Sequence, residues 1–126
     1  MRLLIVEDEP VIALAIEEVA IAAGFEIAGI ATNTSEALEL GPEADVAIID
    51  VRLGDGLTGP SIARALFAGF GLGVAYLTAN PDLVEDADGH VVITKPASAE
   101  RIKEALSLAA RGARKQTLQD QSGQTT

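Results

Sequence analysis

The chain has 126 residues, of which 48% are hydrophobic and 3% aromatic, a size and apolar fraction sufficient for one domain with a single core. Cysteine is absent, which excludes disulfides and thiolate metal sites and is compatible with a reducing compartment. The net charge of -10, from 9 cationic and 19 acidic residues, opposes binding to nucleic acid or to an anionic membrane, because both depend on Lys and Arg.

The first residues argue against an export signal. Glu7, Asp8 and Glu9 follow the first apolar run at once, where a signal peptide would not place three carboxylates. No apolar run approaches the roughly 18 to 20 residues that a membrane span requires. We therefore expect a cytoplasmic protein without a membrane segment.

Five short β-rich runs alternate with longer segments rich in Ala, Leu and Glu, a rhythm that predicts five βα units. The third run is continuously apolar from Val46 to Ile49, as expected for a parallel strand covered by helices on both faces. The predicted class is α/β, with a doubly wound, five-stranded parallel sheet. The predicted strands cover residues 3–6, 26–31, 45–49, 73–77 and 90–94.

Residues that begin or end helices mark the predicted boundaries. They are Pro10 for the first helix, Thr58 and Pro60 for the third, Ser98 for the fifth, and Gly24 and Gly112 where helices would stop. From 113 to 126 the chain holds one large apolar residue, Leu118, among polar and charged ones. We expect an ordered domain over 1–112, followed by a frayed helix end and a disordered tail over 113–126.

In a parallel α/β sheet, ligands bind at the carboxyl ends of the strands. The residues at those ends are Glu7 and Asp8 for strand one, Asp50 for strand three, Thr78 for strand four and Lys95 for strand five. Three carboxylates at one edge repel one another unless they share a hard cation, and oxygen ligands are those that Mg²⁺ prefers. The sequence therefore predicts a Mg²⁺ site.

Asp50 is the natural nucleophile of this set, because it follows the central strand and the other four residues flank it. A carboxylate partly neutralised by metal, with a lysine and a threonine hydroxyl beside it, can attack phosphorus. Taken singly, each residue is weak evidence, since acids before a helix commonly act as caps. Their joint placement favours phosphoryl transfer onto Asp50.

The motifs at these strand ends resemble those of response-regulator receiver domains. The resemblance extends from Arg2 to about Gly112 and implies the flavodoxin-like receiver fold. The matching segments are Val6-Glu7-Asp8-Glu9, Ile48-Ile49-Asp50-Val51-Arg52-Leu53, Leu77-Thr78-Ala79 and Thr94-Lys95-Pro96.

The resemblance implies roles for the metal ligands. Asp8, Asp50 and the backbone carbonyl of Arg52 would bind Mg²⁺ directly, and Glu7 would act through water. Arg52 and Asn80 would border the phosphoryl site and influence the rate of hydrolysis.

It also implies how the phosphoryl group is handled. Thr78 and Lys95 would hold it, the bond between Lys95 and Pro96 would be cis, and the donor would be a phosphohistidine on a sensor histidine kinase. The protein would catalyse only its own phosphorylation and dephosphorylation, and so would not be an enzyme acting on other molecules.

Two features depart from the family. Val92 stands where most receivers carry an aromatic residue that turns inward on phosphorylation, so the usual coupling to the hydroxyl residue cannot operate in its standard form. The segment 79–89 is short and acidic, too short for a full fourth helix, and we expect residues 80–89 to be mobile. Similar receivers with shortened fourth helices occur among stress-response regulators of alphaproteobacteria.

The run Gly54-Asp55-Gly56-Leu57-Thr58-Gly59 matches G-x-G-x-x-G, the dinucleotide-binding fingerprint. However, it follows the third strand rather than the first, and Asp50 would bring negative charge to the place of the pyrophosphate. We interpret these glycines as a flexible loop beside the phosphorylation site. His90 has no His, Cys or carboxylate at metal-ligand spacing nearby in the sequence and is interpreted as a strand-edge residue.

Leu14 and Ile21 lie seven residues apart on the first helix, opposite its core face of Ile12, Ile16 and Val19. An exposed apolar pair of this kind suits docking on a partner helix or self-association. Scattered apolar residues are also ordinary on helix surfaces, and the pattern favours this simpler interpretation. The sequence predicts no oligomeric state.

Three functions remain. The favoured one is a single-domain receiver that signals through a downstream protein partner or drains phosphate from a kinase. The second is a pseudo-receiver that only binds partners, against which the intact Asp50, Thr78 and Lys95 argue. The third is a small aspartyl-phosphate phosphotransferase or phosphatase, a class that usually carries Asp-x-Asp after its first strand, which Asp50-Val51-Arg52 does not match.

Overall fold

The computed structural model describes residues 1–84 and 89–114. Five strands and four α-helices are found there, with 3₁₀ turns at Gly41–Glu43 and Pro81–Val84. The elements are β1 (Arg2–Val6), α1 (Pro10–Ala22), β2 (Glu26–Ala31), α2 (Thr34–Leu40), β3 (Val46–Ile49), α3 (Gly59–Phe70), β4 (Gly73–Thr78), β5 (Val91–Thr94) and α4 (Ala99–Arg111).

The five strands form one parallel sheet in the order β2-β1-β3-β4-β5. The predicted fold class is therefore confirmed. The ends of the central strands are aligned, since Val6 pairs with Ile49 and Ile49 pairs with Tyr76. Residues that directly follow β1 and β3 consequently meet at one edge of the sheet.

Strand β3 lies at the centre because both of its faces are apolar. Val46 and Ile48 point into the core under α1 and α4, whereas Ala47 and Ile49 point into the core under α2 and α3. All four side chains are almost inaccessible to solvent. Burial on both faces explains the continuously apolar run, because an alternating strand would place polar side chains in one of the cores.

Most predicted helix boundaries are found where local chemistry places them. Pro10 begins α1. Ser98 caps α4, the helix predicted as the fifth, and its hydroxyl accepts a hydrogen bond from the Arg101 backbone N–H at 3.2 Å. Thr58 is the N-cap of α3 but makes no side-chain cap bond there. Helix α3 ends at Gly71, whose φ of 73° is left-handed and favours glycine.

The connection between β4 and β5 holds the 3₁₀ turn Pro81–Val84 in its described part. This agrees with the expected shortening of the fourth helix. Residues 85–88, part of the segment expected to be mobile, lie outside the described residues.

The first two residues of the segment expected to form a tail pack against the folded domain. Ala113 is only 2% exposed, and the Arg114 backbone N–H donates to the Gly71 carbonyl at 2.8 Å. The Arg114 guanidinium also lies 4.3 Å from the centre of the Phe67 ring. Residues 115–126, the rest of the expected tail, lie outside the described residues.

Helix α1 exposes apolar side chains on the face opposite its core face. Leu14 is 59% exposed and Ile21 57% exposed, and Val11 on the same side is exposed as well. Within residues 1–84 and 89–114, no helix combines the length and the apolar character needed to cross a membrane.

Candidate functional site

The candidate site lies at the carboxyl edge of the sheet, where Asp50 is the first residue after β3. Its backbone N–H donates to the Val6 carbonyl at 2.9 Å, which continues the pairing of β1 and β3 by one step. The residue is only 7% exposed. The parallel register thus fixes the Asp50 backbone, and its carboxylate stands at the rim of the core.

Glu7 and Asp8, which follow β1, approach this carboxylate. Oxygen atoms from Glu7, Asp8 and Asp50 lie within 4.8 Å of one another, an arrangement that can hold a metal ion. Glu7 is buried and Asp8 is exposed. An all-carboxylate donor set with one solvent-facing member fits Mg²⁺, a hard cation that keeps several waters.

Burial raises the pKa of Glu7, and the nearby Asp50 charge raises it further. The hydrogen bond from Lys95 and the one from the Glu9 backbone N–H oppose this rise. The net direction is upward because removing a carboxylate from water disfavours its charged form. Glu7 therefore binds a proton more readily than an ordinary glutamate.

Lys95 neutralises the acidic cluster. Its Nζ lies 2.8 Å from Asp50 Oδ2, 2.9 Å from Glu7 Oε2 and 2.8 Å from Glu9 Oε2. Burial alone would lower the pKa of Lys95, but hydrogen bonds to these three carboxylates outweigh that effect and raise it. The ammonium therefore stays charged, as a group that stabilises negative oxygens must. The bond from Lys95 to Pro96 is cis, which confirms that expectation.

Sequence reasoning did not identify Glu9 as a member of this cluster. Its carboxylate is 59% exposed, yet it binds the same ammonium as Asp50. The signal was present in the run Glu7-Asp8-Glu9, but a third acid next to a predicted pair reads equally well as the start of a helix.

A cleft of about 450 Å³ opens above the cluster. The expected border residues Arg52 and Asn80 both line it. The complete lining is Asp8, Glu9, Ile12, Asp50, Arg52, Leu53, Ala79, Asn80 and Lys95.

Thr78 lies beneath this cleft rather than on its wall. The residue is completely buried, and its hydroxyl oxygen accepts a hydrogen bond from the Asn80 backbone N–H at 3.0 Å. This bond uses a lone pair of the hydroxyl oxygen, so the hydroxyl hydrogen can still be donated to a second acceptor. The sequence placed Thr78 at the correct strand end but did not indicate this bond.

Gly59 is required by the close approach of α3 to Asp50. A Cβ at Gly59 would collide with the carbonyl oxygen of Asp50 and lie 2.6 Å from the Val51 Cα. The Gly59 backbone N–H instead donates to the Val51 carbonyl at 3.0 Å. The last glycine of the G-x-G-x-x-G run thus serves close packing of backbone against backbone.

Val92 pairs in register with Tyr76 of β4 and packs against the core under α2 and α3. Tyr76 is buried in that core, so an aromatic side chain lies one strand away from the position where receivers usually carry theirs. His90 packs its ring against Phe67, with centroids 5.2 Å apart, and against Tyr76 at 6.2 Å. It precedes β5 and is part of an aromatic cluster, which its interpretation as a plain strand-edge residue did not foresee.

No protein-family model matches this chain. The curated protein "Phyllosphere-induced regulator PhyR" from Methylorubrum extorquens is 28% identical over 114 residues, which cover 86% of this chain and 43% of the relative. The chain therefore spans less than half the length of this curated relative.

Two solved structures share the fold and part of the sequence. The response-regulator receiver domain of PhyR from Erythrobacter litoralis has a TM-score of 0.79 and 27% identity, over 86% of this chain and 88% of that one. A PhyR variant from Bartonella quintana, described as an anti-anti-sigma factor, has a TM-score of 0.74 and 26% identity, over 86% of this chain and 47% of that one. Together with the five-stranded fold, these relatives identify the chain as a response-regulator receiver domain, similar to the receivers of PhyR-type stress regulators.

Proposed function

We propose that the chain accepts a phosphoryl group on Asp50 in a Mg²⁺-dependent reaction and that the phosphorylated form is read by a protein partner. The observation that carries this proposal is the contact between Lys95 Nζ and Asp50 Oδ2 at 2.8 Å, beside two further carboxylates that lie within 4.8 Å. One side chain thus has both a cation to stabilise transferred oxygens and an acidic neighbourhood suited to a divalent ion.

The donor in this proposal is a phosphohistidine of a sensor histidine kinase in the cytoplasm. An Asp50 carboxylate oxygen attacks phosphorus, the bond from phosphorus to the histidine nitrogen breaks, and the imidazole leaves with its electron pair. Later attack by water on phosphorus releases inorganic phosphate and restores the Asp50 carboxylate. The chain acts on no other substrate, so it is a signalling protein rather than an enzyme in the usual sense.

Asp8, Asp50 and the Arg52 backbone carbonyl would hold Mg²⁺, with Glu7 acting through water. When bound, the ion supplies positive charge that offsets the negative charge developing on the phosphoryl oxygens. Lys95 would supply a second positive charge at Asp50, and for this it would exchange part of its contact with Glu7 and Asp50 for the phosphoryl group.

Thr78 would hold the phosphoryl group by donating its hydroxyl hydrogen, while its oxygen accepts from the Asn80 N–H. Asn80 and Arg52, on the wall of the cleft, would then set how easily water reaches phosphorus. In this proposal the Thr78 hydroxyl links the phosphoryl group to the segment that follows β4.

The downstream partner is proposed to be a protein, because the Bartonella quintana relative is described as an anti-anti-sigma factor. The chain covers 47% of that relative, so its partner need not bind the same surface. A phosphate sink is the second candidate output. It is favoured by the cleft that leaves Asn80 and Ala79 exposed beside Asp50, where water can reach the site.

Phosphotransfer from candidate kinases carrying radiolabelled phosphohistidine tests the proposal. Wild type should take up label only with Mg²⁺ present, Asp50→Asn should take up none, and Asp82→Asn, an exposed control outside the cleft, should behave as wild type. Circular dichroism and thermal unfolding establish that each variant is folded.

Equal labelling of Asp50→Asn would refute the assignment of the acceptor. Failure of wild type with every kinase and with a small-molecule phosphoryl donor would instead support a pure interaction module. Loss of label from wild type within seconds to minutes, without a partner, would favour the sink, whereas a long-lived phosphoprotein would favour a signal carrier.

A further inference from the structure

The loop that joins β3 to α3 forms a tight turn between Leu53 and Gly56. The Leu53 N–H donates to the Gly56 carbonyl at 2.8 Å, and the Gly56 N–H donates back to the Leu53 carbonyl at 3.0 Å. Gly56 has a φ of 114°, a conformation that glycine adopts without strain. Asp55 is the residue at the tip of this turn, and its side chain has no part in the turn's own two bonds.

The Asp55 carboxylate instead joins Thr34, which is 21 residues away, to Thr58, which is three residues away. Its Oδ2 accepts hydrogen bonds from the Thr34 backbone N–H at 3.0 Å and from the Thr34 hydroxyl at 2.8 Å. Its Oδ1 accepts a hydrogen bond from the Thr58 hydroxyl at 2.6 Å. Both oxygens are therefore engaged, one by the first residue of α2 and the other by the N-cap residue of α3.

These bonds are favourable for a physical reason. The first N–H groups of a helix have no partner within the helix, and an acceptor from elsewhere that binds one is stabilised by the helix dipole. Asn33 already satisfies the Glu36 N–H of α2, so Asp55 supplies a second, independent acceptor to the Thr34 N–H. The clamp consists of Asp55, Thr34 and Thr58.

The clamped loop is also a wall of the candidate site. Leu53 and Arg52 both line the cleft above Asp50, and Leu53 is only 4% exposed. A Cβ placed at Gly54 would lie 3.8 Å from the Asp8 Oδ2 atom, so the turn runs directly beside that carboxylate. Any shift of the turn therefore changes the position of Arg52 relative to Asp8 and Asp50.

We propose that Asp55 is a positioning residue for the metal site, because it clamps the loop that carries Arg52 to the starts of α2 and α3. The proposal rests on the proposed function in one respect, the use of the Arg52 carbonyl as a Mg²⁺ ligand. Ligands of a metal ion held by surrounding hydrogen bonds lose affinity when those bonds are removed.

Glu36 provides a matched control. It is another exposed carboxylate that accepts two hydrogen bonds from one threonine, the Thr32 N–H at 2.8 Å and the Thr32 hydroxyl at 2.7 Å. Glu36 lies in α2 and Thr32 in the loop before it, and neither lines the cleft. Glu36→Ala thus removes comparable bonds without touching the β3–α3 loop.

The experiment measures Mg²⁺ affinity by calorimetry, and backbone amide exchange by NMR without Mg²⁺, on the full chain. Asp55→Ala should weaken Mg²⁺ binding about ten-fold and speed exchange of the Leu53 and Gly56 amides. Asp55→Asn, which keeps one acceptor oxygen, should recover part of both effects. Thr34→Val and Thr58→Val should each produce a smaller loss, and Glu36→Ala should change neither measurement.

Unchanged amide exchange at Leu53 and Gly56 in Asp55→Ala would overturn the proposal whatever the metal result. Faster exchange with unaltered Mg²⁺ affinity would reduce Asp55 to a helix cap and would also overturn it. An equal loss of affinity in Glu36→Ala would do the same, because the effect would then be general. Absence of Mg²⁺ binding by wild type would refute the metal site of the proposed function itself and is distinguished from these outcomes by the wild-type titration alone.

Discussion

The Lys95 ammonium lies 2.8 Å from the Asp50 carboxylate and, in the same position, 2.9 Å from the buried Glu7 carboxylate. One cation therefore serves two acids that stand at the ends of neighbouring strands. Burial raises the pKa of Glu7, and Lys95 supplies the largest influence that opposes this rise.

Replacing Lys95 by Met should raise the pKa of Glu7 further, since burial and the Asp50 charge remain while the opposing hydrogen bond is lost. A folded-state pKa above the ordinary value of 4.5 gives a contribution to stability that is present below 4.5 and lost as pH rises through the folded pKa. The free energy of unfolding of Lys95→Met should thus lie further below that of wild type at neutral pH than at acidic pH. Urea unfolding at both pH values, with NMR titration of Glu7, measures this, and a pH-independent difference would contradict it.

Glu9→Gln should lower the free energy of unfolding by less than about 1 kcal/mol, because ion pairs with a solvent-exposed partner contribute little. The Glu9 side chain is 59% exposed, whereas the Asp50 side chain that shares the same ammonium is 9% exposed. A double-mutant cycle with Lys95→Met isolates the coupling. A coupling energy of several kcal/mol would mean that Glu9 is shielded from water.

Asp55 gives the chain a defined response to acid. Its hydrogen bonds, first the one from the Thr58 hydroxyl and then those from Thr34, lower the pKa of Asp55 from 3.8 to about 2. A depressed folded-state pKa contributes stability above 3.8 that is lost as pH falls through about 2. Asp55→Asn should therefore lose less stability than wild type between these pH values, as measured by urea unfolding at each pH. Parallel losses would show that the three bonds do not persist in solution.

Two glycines of α3 should respond in opposite ways to alanine. Gly59→Ala places a methyl group against the Asp50 backbone and should destabilise the protein by about 1–3 kcal/mol through overpacking. Gly69→Ala meets nothing within 4 Å and should stabilise it by about 0.5–1 kcal/mol, the helix preference of alanine over glycine. Denaturant unfolding measures the change in the free energy of unfolding for each variant. Changes of the same sign in the two variants would contradict the close approach of Gly59 to Asp50.

The double substitution Leu14→Glu and Ile21→Glu should leave the free energy of unfolding within about 0.5 kcal/mol of the wild-type value, because both side chains are mostly exposed. If this face of α1 is an ordinary helix surface, phosphotransfer and self-association should also remain as in wild type. Slower transfer from the kinase, or a change of mass in light scattering, would identify the face as an interface. Glu17→Gln on the same helix serves as the control for a change of charge.

The fold and the carboxyl-edge site could be predicted because their signals are local. The apolar run before Asp50 indicates a doubly covered strand, and the strand order then places Glu7, Asp8 and Lys95 at the same edge. A short parallel register leaves little freedom for the first residue after each strand. The same reasoning located Pro10 and Ser98 at their helix starts.

The remainder depends on contacts between residues far apart in the chain. Asp55 and Thr34 are separated by 21 positions, and no pattern near either residue indicates their bond. The role of Glu9 depends on the reach of Lys95, which is 86 positions away. The hydrogen bond from the Asn80 N–H to the Thr78 hydroxyl depends on the direction in which the chain turns after β4. The residue types alone do not determine that direction.

Tyr76 is the single tyrosine of a chain without tryptophan. It is 3% exposed on β4, two residues before Thr78 and directly beside Val92 of the edge strand. Emission excited at wavelengths that phenylalanine does not absorb therefore comes from one fluorophore, which lies on the strand next to the outermost one. A displacement that spreads from Asp50 across β4 can be followed in real time with no label attached and no residue replaced.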